Sequence, residues 1–197
     1  LGVSPYSTGA GIGVAIIDSG IAPVAGLAGR ITAFYDFTNG GSAVAAPSDG
    51  YGHGTHVAAL IGADDVRFKG VAPGVHLVGF KVLDAYGAGH PSDVIRALEF
   101  ATANRAQLNI RIVNLSLGHP ILAPAADDPL VQAVESAVRA GLIVTVSAGN
   151  RGKNPVTGVV GYAGISSPGN APSAITSGAT DTKETANRSD DTVANYS

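Results

Sequence analysis

The sequence predicts an α/β fold in which a mostly parallel sheet lies between helices. Three observations carry this expectation. Short apolar runs of strand length alternate with longer segments of helical periodicity. The strand runs are almost continuous in Val, Ile and Leu, as expected of strands covered on both faces. Gly, Pro, Asp and Asn punctuate the boundaries.

The elements follow in order. A glycine-rich stretch over residues 8–13 precedes Val14-Ala15-Ile16-Ile17, a buried strand that ends at Asp18-Ser19-Gly20. Residues 21–50 are rich in Gly, Pro and small side chains and read mostly as surface loop, with a strand over 31–34. Gly52-His53-Gly54-Thr55-His56-Val57-Ala58-Ala59-Leu60 opens a helix. A charged turn at 64–69 leads to a second core strand over 76–82. After the Tyr86-Gly87-Ala88-Gly89 loop, Ser92 is the expected cap of a helix with Val94, Ile95, Leu98 and Ala101 on one face. Asp93 would favour the positive end of its dipole. A third strand covers 112–117 and ends at Gly118. Asp128-Pro129 marks a helix start, Val131, Val134 and Val138 its inner face, and Gly141 its stop. A fourth strand over 142–146 ends at Ser147-Ala148-Gly149-Asn150, and a fifth is expected over 174–177. No internal repeat or linker breaks the chain, so residues 1–197 read as one domain.

Composition narrows the function. The 197 residues are 45% hydrophobic and 14% charged, enough apolar content for a substantial core. A net charge of −3 argues against a nucleic-acid partner. There is no Cys, so disulfides and thiolate metal sites are excluded. No apolar run reaches the roughly 20 residues that cross a bilayer. The start at Leu1 suggests a processed product or a fragment.

Three polar signals sit at strand or helix ends: Asp18, His53 and Asn150. A carboxylate that accepts from one imidazole nitrogen fixes the tautomer and frees the other nitrogen to act as a base. An amide side chain nearby can donate to an oxyanion. These are parts of an acyl-transfer site. Taken singly, each has a plainer reading. Asp18-Ser19-Gly20 and Ser147-Ala148-Gly149-Asn150 also suit ordinary turns. His53 and His56 form only a weak metal pair, without the Glu and second His of the zinc-protease helix motif. The glycines at 9, 11 and 13 precede the strand instead of following it, so a dinucleotide site fails its context test.

Together the segments resemble the subtilisin-like serine proteases (subtilases), from about residue 8 to the end. Val14-Ala15-Ile16-Ile17-Asp18-Ser19-Gly20-Ile21 is similar to the family's aspartate motif, and His53-Gly54-Thr55-His56-Val57-Ala58 to its histidine motif. Gly70-Val71-Ala72-Pro73, Lys81-Val82-Leu83, Asn114-Leu115-Ser116-Leu117-Gly118 and Ala148-Gly149-Asn150 follow in the family's order.

The resemblance implies a three-layer fold, incomplete at the C-terminus, in a secreted endopeptidase acting on protein or peptide substrates. It makes Asp18 the residue that orients the imidazole, His53 the general base and acid, and Asn150 the oxyanion donor. Gly87, Ala88 and Gly89 on one side and Ser116, Leu117 and Gly118 on the other would pair with an extended substrate. Ala148 and Gly149, with Ser167, Pro168 and Gly169, would line the pocket before the scissile bond. Their small uncharged side chains imply apolar or broad preference.

One departure matters. The family's nucleophile lies in a Gly-Thr-Ser-x-Ala segment after the oxyanion asparagine, and this sequence has none. The nearest string, Ile175-Thr176-Ser177-Gly178-Ala179, lacks the leading Gly and falls on an expected strand. The expectation is a catalytic domain represented by its N-terminal portion and inactive alone. A second polypeptide would carry the serine, and a propeptide would be in keeping with the family. The competing expectation is a non-catalytic scaffold that binds extended peptides. Calcium is common in the family, but Gly26 stands where its strongest site has a carboxylate, so no cofactor and no metal ligand is assigned.

Overall fold

The computed structural model describes residues 7–154, 156–161 and 164–197. The first strand, β1 (Gly13–Asp18), is buried at every residue. It lies between two parallel neighbours, β4 (His76–Lys81) and β5 (Ile110–Leu115). A strand paired on both edges and covered on both faces has no place for a polar side chain until it ends. That is why four apolar residues precede Asp18.

The sheet grows outwards from this centre. On one side β4 pairs in parallel with β2 (Ile31–Asp36), and the two-residue β3 (Ala43–Val44) closes that edge antiparallel. On the other side β5, β6 (Ile143–Ser147) and β7 (Ile175–Ser177) continue in parallel. The order is β3-β2-β4-β1-β5-β6-β7. A separate antiparallel pair, β8 (Thr180–Asp181) and β9 (Thr192–Val193), lies outside it and was not expected.

Alternate residues of β1 face different layers. Val14 and Ile16 pack with Ala58 of α1 (His53–Gly62) and with Leu77. Ala15 and Ile17 pack with Val94, Ala97 and Leu98 of α2 (Pro91–Ala103) and with Val131 and Val134 of α3 (Pro129–Arg139). One helix therefore covers one face and two cover the other. Towards the β2 edge, Phe100 packs on Tyr35, whose ring stacks on Phe80 at 5.5 Å between centroids. Phe37 closes this aromatic cluster.

The helix starts have distinct causes. Asp128 caps α3 as expected: its Oδ1 accepts from the amides of Leu130 (2.9 Å) and Val131 (3.4 Å). Ser92 does not cap α2. The helix begins at Pro91 after His90, which makes no side-chain cap bond. Proline has a fixed φ and needs no acceptor, so it suits the first helical position and places the start two residues earlier than a Ser92 cap would. Asp93 lies in the first turn, buried, and pairs with Arg96. The inner face of α3 is Leu130, Val131, Val134 and Ala137, with Val138 only partly buried.

No side chain at Gly52 caps α1. Asp49 does that work from outside the helix. Its Oδ1 accepts from the amides of Tyr51 (3.1 Å) and Gly52 (2.8 Å), and its Oδ2 from the amide (2.9 Å) and hydroxyl (2.6 Å) of Thr55. Burial opposes ionisation of Asp49. Donation by the Thr55 hydroxyl, the Gly52 and Thr55 amides and the Ser19 hydroxyl outweighs it and holds the carboxyl below its ordinary value.

The third strand also differs from expectation. It runs Ile110–Leu115 instead of 112–117. Its start follows the pairing of Ile110 with Gly13, and Ser116, Leu117 and Gly118 leave the ladder. His119 then bridges to Ser167.

Two outcomes test this architecture. Leu98 is fully buried between α2 and the sheet, so Leu98→Ala should lower stability by about 2–5 kcal/mol in urea unfolding. Asp49→Ala should lower it by about 0.5–2 kcal/mol at neutral pH, the range for loss of a helix cap. Because the folded pKa of Asp49 is depressed, its contribution is present above the unfolded value and is lost as pH falls through the folded one. Unfolding curves of Asp49→Ala and wild type should therefore converge as pH drops below about 4.

Candidate active site

Asp18 ends β1 at the carboxyl edge of the sheet, where sites gather in parallel α/β folds. Its side chain is fully buried. A buried carboxylate needs donors on both oxygens. The Ser19 amide donates to Oδ1 at 2.7 Å, and His53 Nδ1 lies 2.8 Å from Oδ1 and 3.0 Å from Oδ2. A carboxylate can only accept, so Nδ1 carries the proton and Nε2 is left free. The His53 side chain is 43% exposed. One face of the ring is thus anchored in the protein and the other is open.

This contact requires α1 to start against the end of β1. Gly54 allows the approach: a Cβ there would collide with the Gly20 carbonyl oxygen and press on Asp18. The Gly54 amide donates to Ser19 Oγ at 3.0 Å. Lys81 Nζ donates to the carbonyls of Ser19 (3.1 Å) and Leu83 (2.9 Å), and the Val82 amide to that of Asp18 (2.9 Å). The carboxyl end of β1 is therefore tied to both α1 and β4.

A cleft of about 480 Å³ opens beside His53. It brings together Gly87, Ala88, Gly89, Ser116, Leu117, Gly118 and Asn150, residues far apart in the chain. The 87–89 side is shaped by Asp84, whose Oδ1 accepts from the amides of Ala88 (3.0 Å) and Tyr86 (2.8 Å). Those two bonds, the Ala88 one first, hold the Asp84 carboxyl below its ordinary value. Asn150 is exposed and its amide has no partner among the described residues, so it is available to a ligand. A second depression adjoins the cleft and is lined by Ser116, Leu117, Gly118, Ser147, Gly149, Asn150, Arg151 and Ser166.

The placement differs from expectation at Ala148, which lines neither depression, and over residues 167–169. Ser167, Pro168 and Gly169 are buried behind the wall and line neither depression. Ser166 is the residue that faces it. Gly149 has φ 98°, and a Cβ on it would collide with Ser166 Oγ. Ala148 lies between the two segments: its carbonyl accepts from the Ser166 amide at 2.8 Å, and its amide donates to Ser177 O at 2.8 Å. Sequence reasoning also passed over Tyr51, His90 and His119, which line the cleft. His90-Pro91 carried a usable signal, since a Pro at the first helical position places its neighbour at the loop.

The residues near Gly26 do not fit a calcium ion. Calcium takes six or more oxygen ligands. Here the Gly26 carbonyl accepts from the Asp64 amide at 3.0 Å. The Asp64 carboxylate pairs with Arg30 (2.8 Å) and Lys69 (3.5 Å), and Asp65 with Arg67 (3.4 Å). Side-chain cations already occupy the carboxylates that a metal would need.

Comparison with known proteins gives the family. Residues 9–197 match the subtilase family (peptidase S8). Serine protease AprX of Bacillus subtilis is 39% identical over 199 residues, covering 96% of this chain and 43% of that protein. Subtilisin E of Bacillus subtilis is 37% identical over 180 residues, covering 87% and 42%. The chain thus spans less than half the length of these relatives. Among solved structures, Sphericase superposes with a TM-score of 0.81 at 28% identity, over 100% of this chain and 61% of that one. A cold adapted subtilisin-like serine proteinase gives 0.71 at 30% identity, over 90% and 58%. On the family match across nearly its whole length, this chain belongs to the subtilase family.

Proposed function

We propose that this chain supplies the Asp–His half of a serine endopeptidase site, together with its oxyanion amide. The observation that carries the reading is the Asp18–His53 contact: a fully buried carboxylate against a half-exposed imidazole whose free nitrogen borders a cleft. Family membership adds the reaction class.

In this reading His53 Nε2 takes the proton of a serine hydroxyl as its oxygen bonds to the scissile carbonyl carbon. The carbonyl π pair moves to oxygen, and the Asn150 side-chain amide donates to the oxyanion. Asp18 stabilises the imidazolium without itself taking the proton. The intermediate then collapses, the C–N bond breaks, and the proton passes from Nε2 to the departing amine. Water repeats the sequence on the acyl-enzyme, with His53 again as base. The substrate lies extended, its backbone paired with Gly87, Ala88 and Gly89 and with Ser116, Leu117 and Gly118. Gly149 and Ser166 give the neighbouring pocket small uncharged walls, which suits apolar or varied residues, and Arg151 lines the same depression.

The serine comes, in this proposal, from a Gly-Thr-Ser-x-Ala segment outside the 197 residues, within a further polypeptide segment that completes the domain. An exposed sheet face supports this. On the α1 side of the sheet, β6 and β7 leave Ile143 and Ile175 half exposed, and α1 leaves Leu60 half exposed. Two large aliphatic side chains on paired strands suit a covering element better than water. Among the described residues no helix is long and apolar enough to cross a membrane. Secretion is part of the same proposal and rests on the family likeness.

A serine-directed fluorophosphonate probe tests the reading. It should label the complete protein at a serine outside residues 1–197, and His53→Ala should cut peptide hydrolysis by about 10⁴–10⁶-fold, the range for loss of a triad member in serine proteases. Labelling of a serine within residues 1–197, or undiminished turnover by His53→Ala, would overturn it.

A further inference from the structure

Asp128 caps α3 with one carboxylate oxygen, and a cap needs no more than one. Its other oxygen, Oδ2, accepts from Ser167 Oγ at 2.7 Å. Asp128 is 5% exposed and Ser167 fully buried. No cation pairs with this carboxylate among the described residues. A buried charge without a counter-ion is sustained by its three donors and by the positive end of the helix dipole. A Ser or Asn would cap the helix equally well and bury no charge. The second oxygen is the feature that capping leaves unexplained.

Ser167 lies where the two cleft walls meet. Its amide donates to His119 O and its carbonyl accepts from the His119 amide, both at 2.9 Å. That exchange holds the segment that follows Ser116, Leu117 and Gly118. The preceding residue, Ser166, donates its amide to Ala148 O at 2.8 Å and packs its hydroxyl against Gly149. Residues 166–167 therefore stitch the 116–119 wall to the 148–150 wall, and among the described residues they have one side-chain tether to a rigid element: the Ser167 hydroxyl on Asp128.

We propose that Asp128 and Ser167 form a positioning strut that references both cleft walls to the N-terminus of α3 and so sets the width of the substrate pocket. Neither residue faces the cleft opening at Ser166; both act through backbone they hold. The inference rests on the endopeptidase reading for its effect on selectivity, but the strut itself is independent of that reading.

The test uses Ser167→Ala, Asp128→Ser and the double variant of the complete protein. Asp128→Ser keeps a capping oxygen and removes the second one. Amide hydrogen exchange at His119 and Ser166 should accelerate by about tenfold in each single variant, with the Leu130 amide unchanged in Ser167→Ala. The double variant should add little, because both changes remove the same bond. With peptide substrates, KM and the preference between large and small side chains before the scissile bond should shift about threefold or more. Hydrolysis of p-nitrophenyl acetate, which fills no side-chain pocket, should change less than about twofold. Unchanged exchange at His119, additive effects in the double variant, or an unaltered side-chain preference would each overturn the proposal. If the wild-type protein hydrolyses no peptide, the endopeptidase reading fails, while the exchange measurements still decide the strut.

Discussion

A carboxylate with no exposure to water sits at the end of the central strand, and the site depends on how that charge is satisfied. Asp18 follows four buried apolar residues, so no solvent reaches it. Its oxygens must be bonded within the protein, and the donors are the Ser19 amide and His53 Nδ1. The requirement acts in both directions. Asp18 needs the imidazole, and the imidazole is held in one tautomer by Asp18. Gly54, the Asp49 cap and the Lys81 contacts all bring α1 and β4 close enough for that exchange to form.

The cleft follows from the parallel sheet. Strands that run the same way end at the same edge, so the segments after β1, β4, β5 and β6 are gathered without being near in sequence. Asp18, the 87–89 loop, Ser116 to Gly118 and Ala148 to Asn150 each continue from one of these strands. The helices on the opposite face, α2 and α3, contribute their starts: His90 and Pro91 at one, Leu130 at the other, all in contact with the cleft. The site is thus a property of strand direction before it is a property of any residue.

Much of this was legible in the sequence because burial leaves a strong signal. Uninterrupted apolar runs located β1, β4 and β6 within a residue or two, and Asp128-Pro129 located the start of α3. The misreadings have local causes. For α2, the Ser at 92 masked the stronger preference of Pro91 for the first helical position. For β5, Leu115 and Leu117 look alike in sequence, while only the first is held by pairing with Ile17 and Val146. For the pocket wall, Ser166 and Ser167 are the same residue type one position apart, and the tertiary bonds that distinguish them, Ser167 to Asp128 and to His119, leave no mark in the sequence. The role of Asp49 was hidden because it acts across six residues, outside the usual cap position.

Asp18 holds His53 with its proton on Nδ1 and its second nitrogen free. Long-range nitrogen–proton NMR correlation of the His53 ring in the complete protein reads that tautomer. The predicted result is the Nδ1–H tautomer in the neutral ring, lost or inverted in Asp18→Asn, where an amide replaces the accepting carboxylate. An Nε2–H tautomer in the wild-type chain, or a ring indifferent to Asp18→Asn, would contradict it.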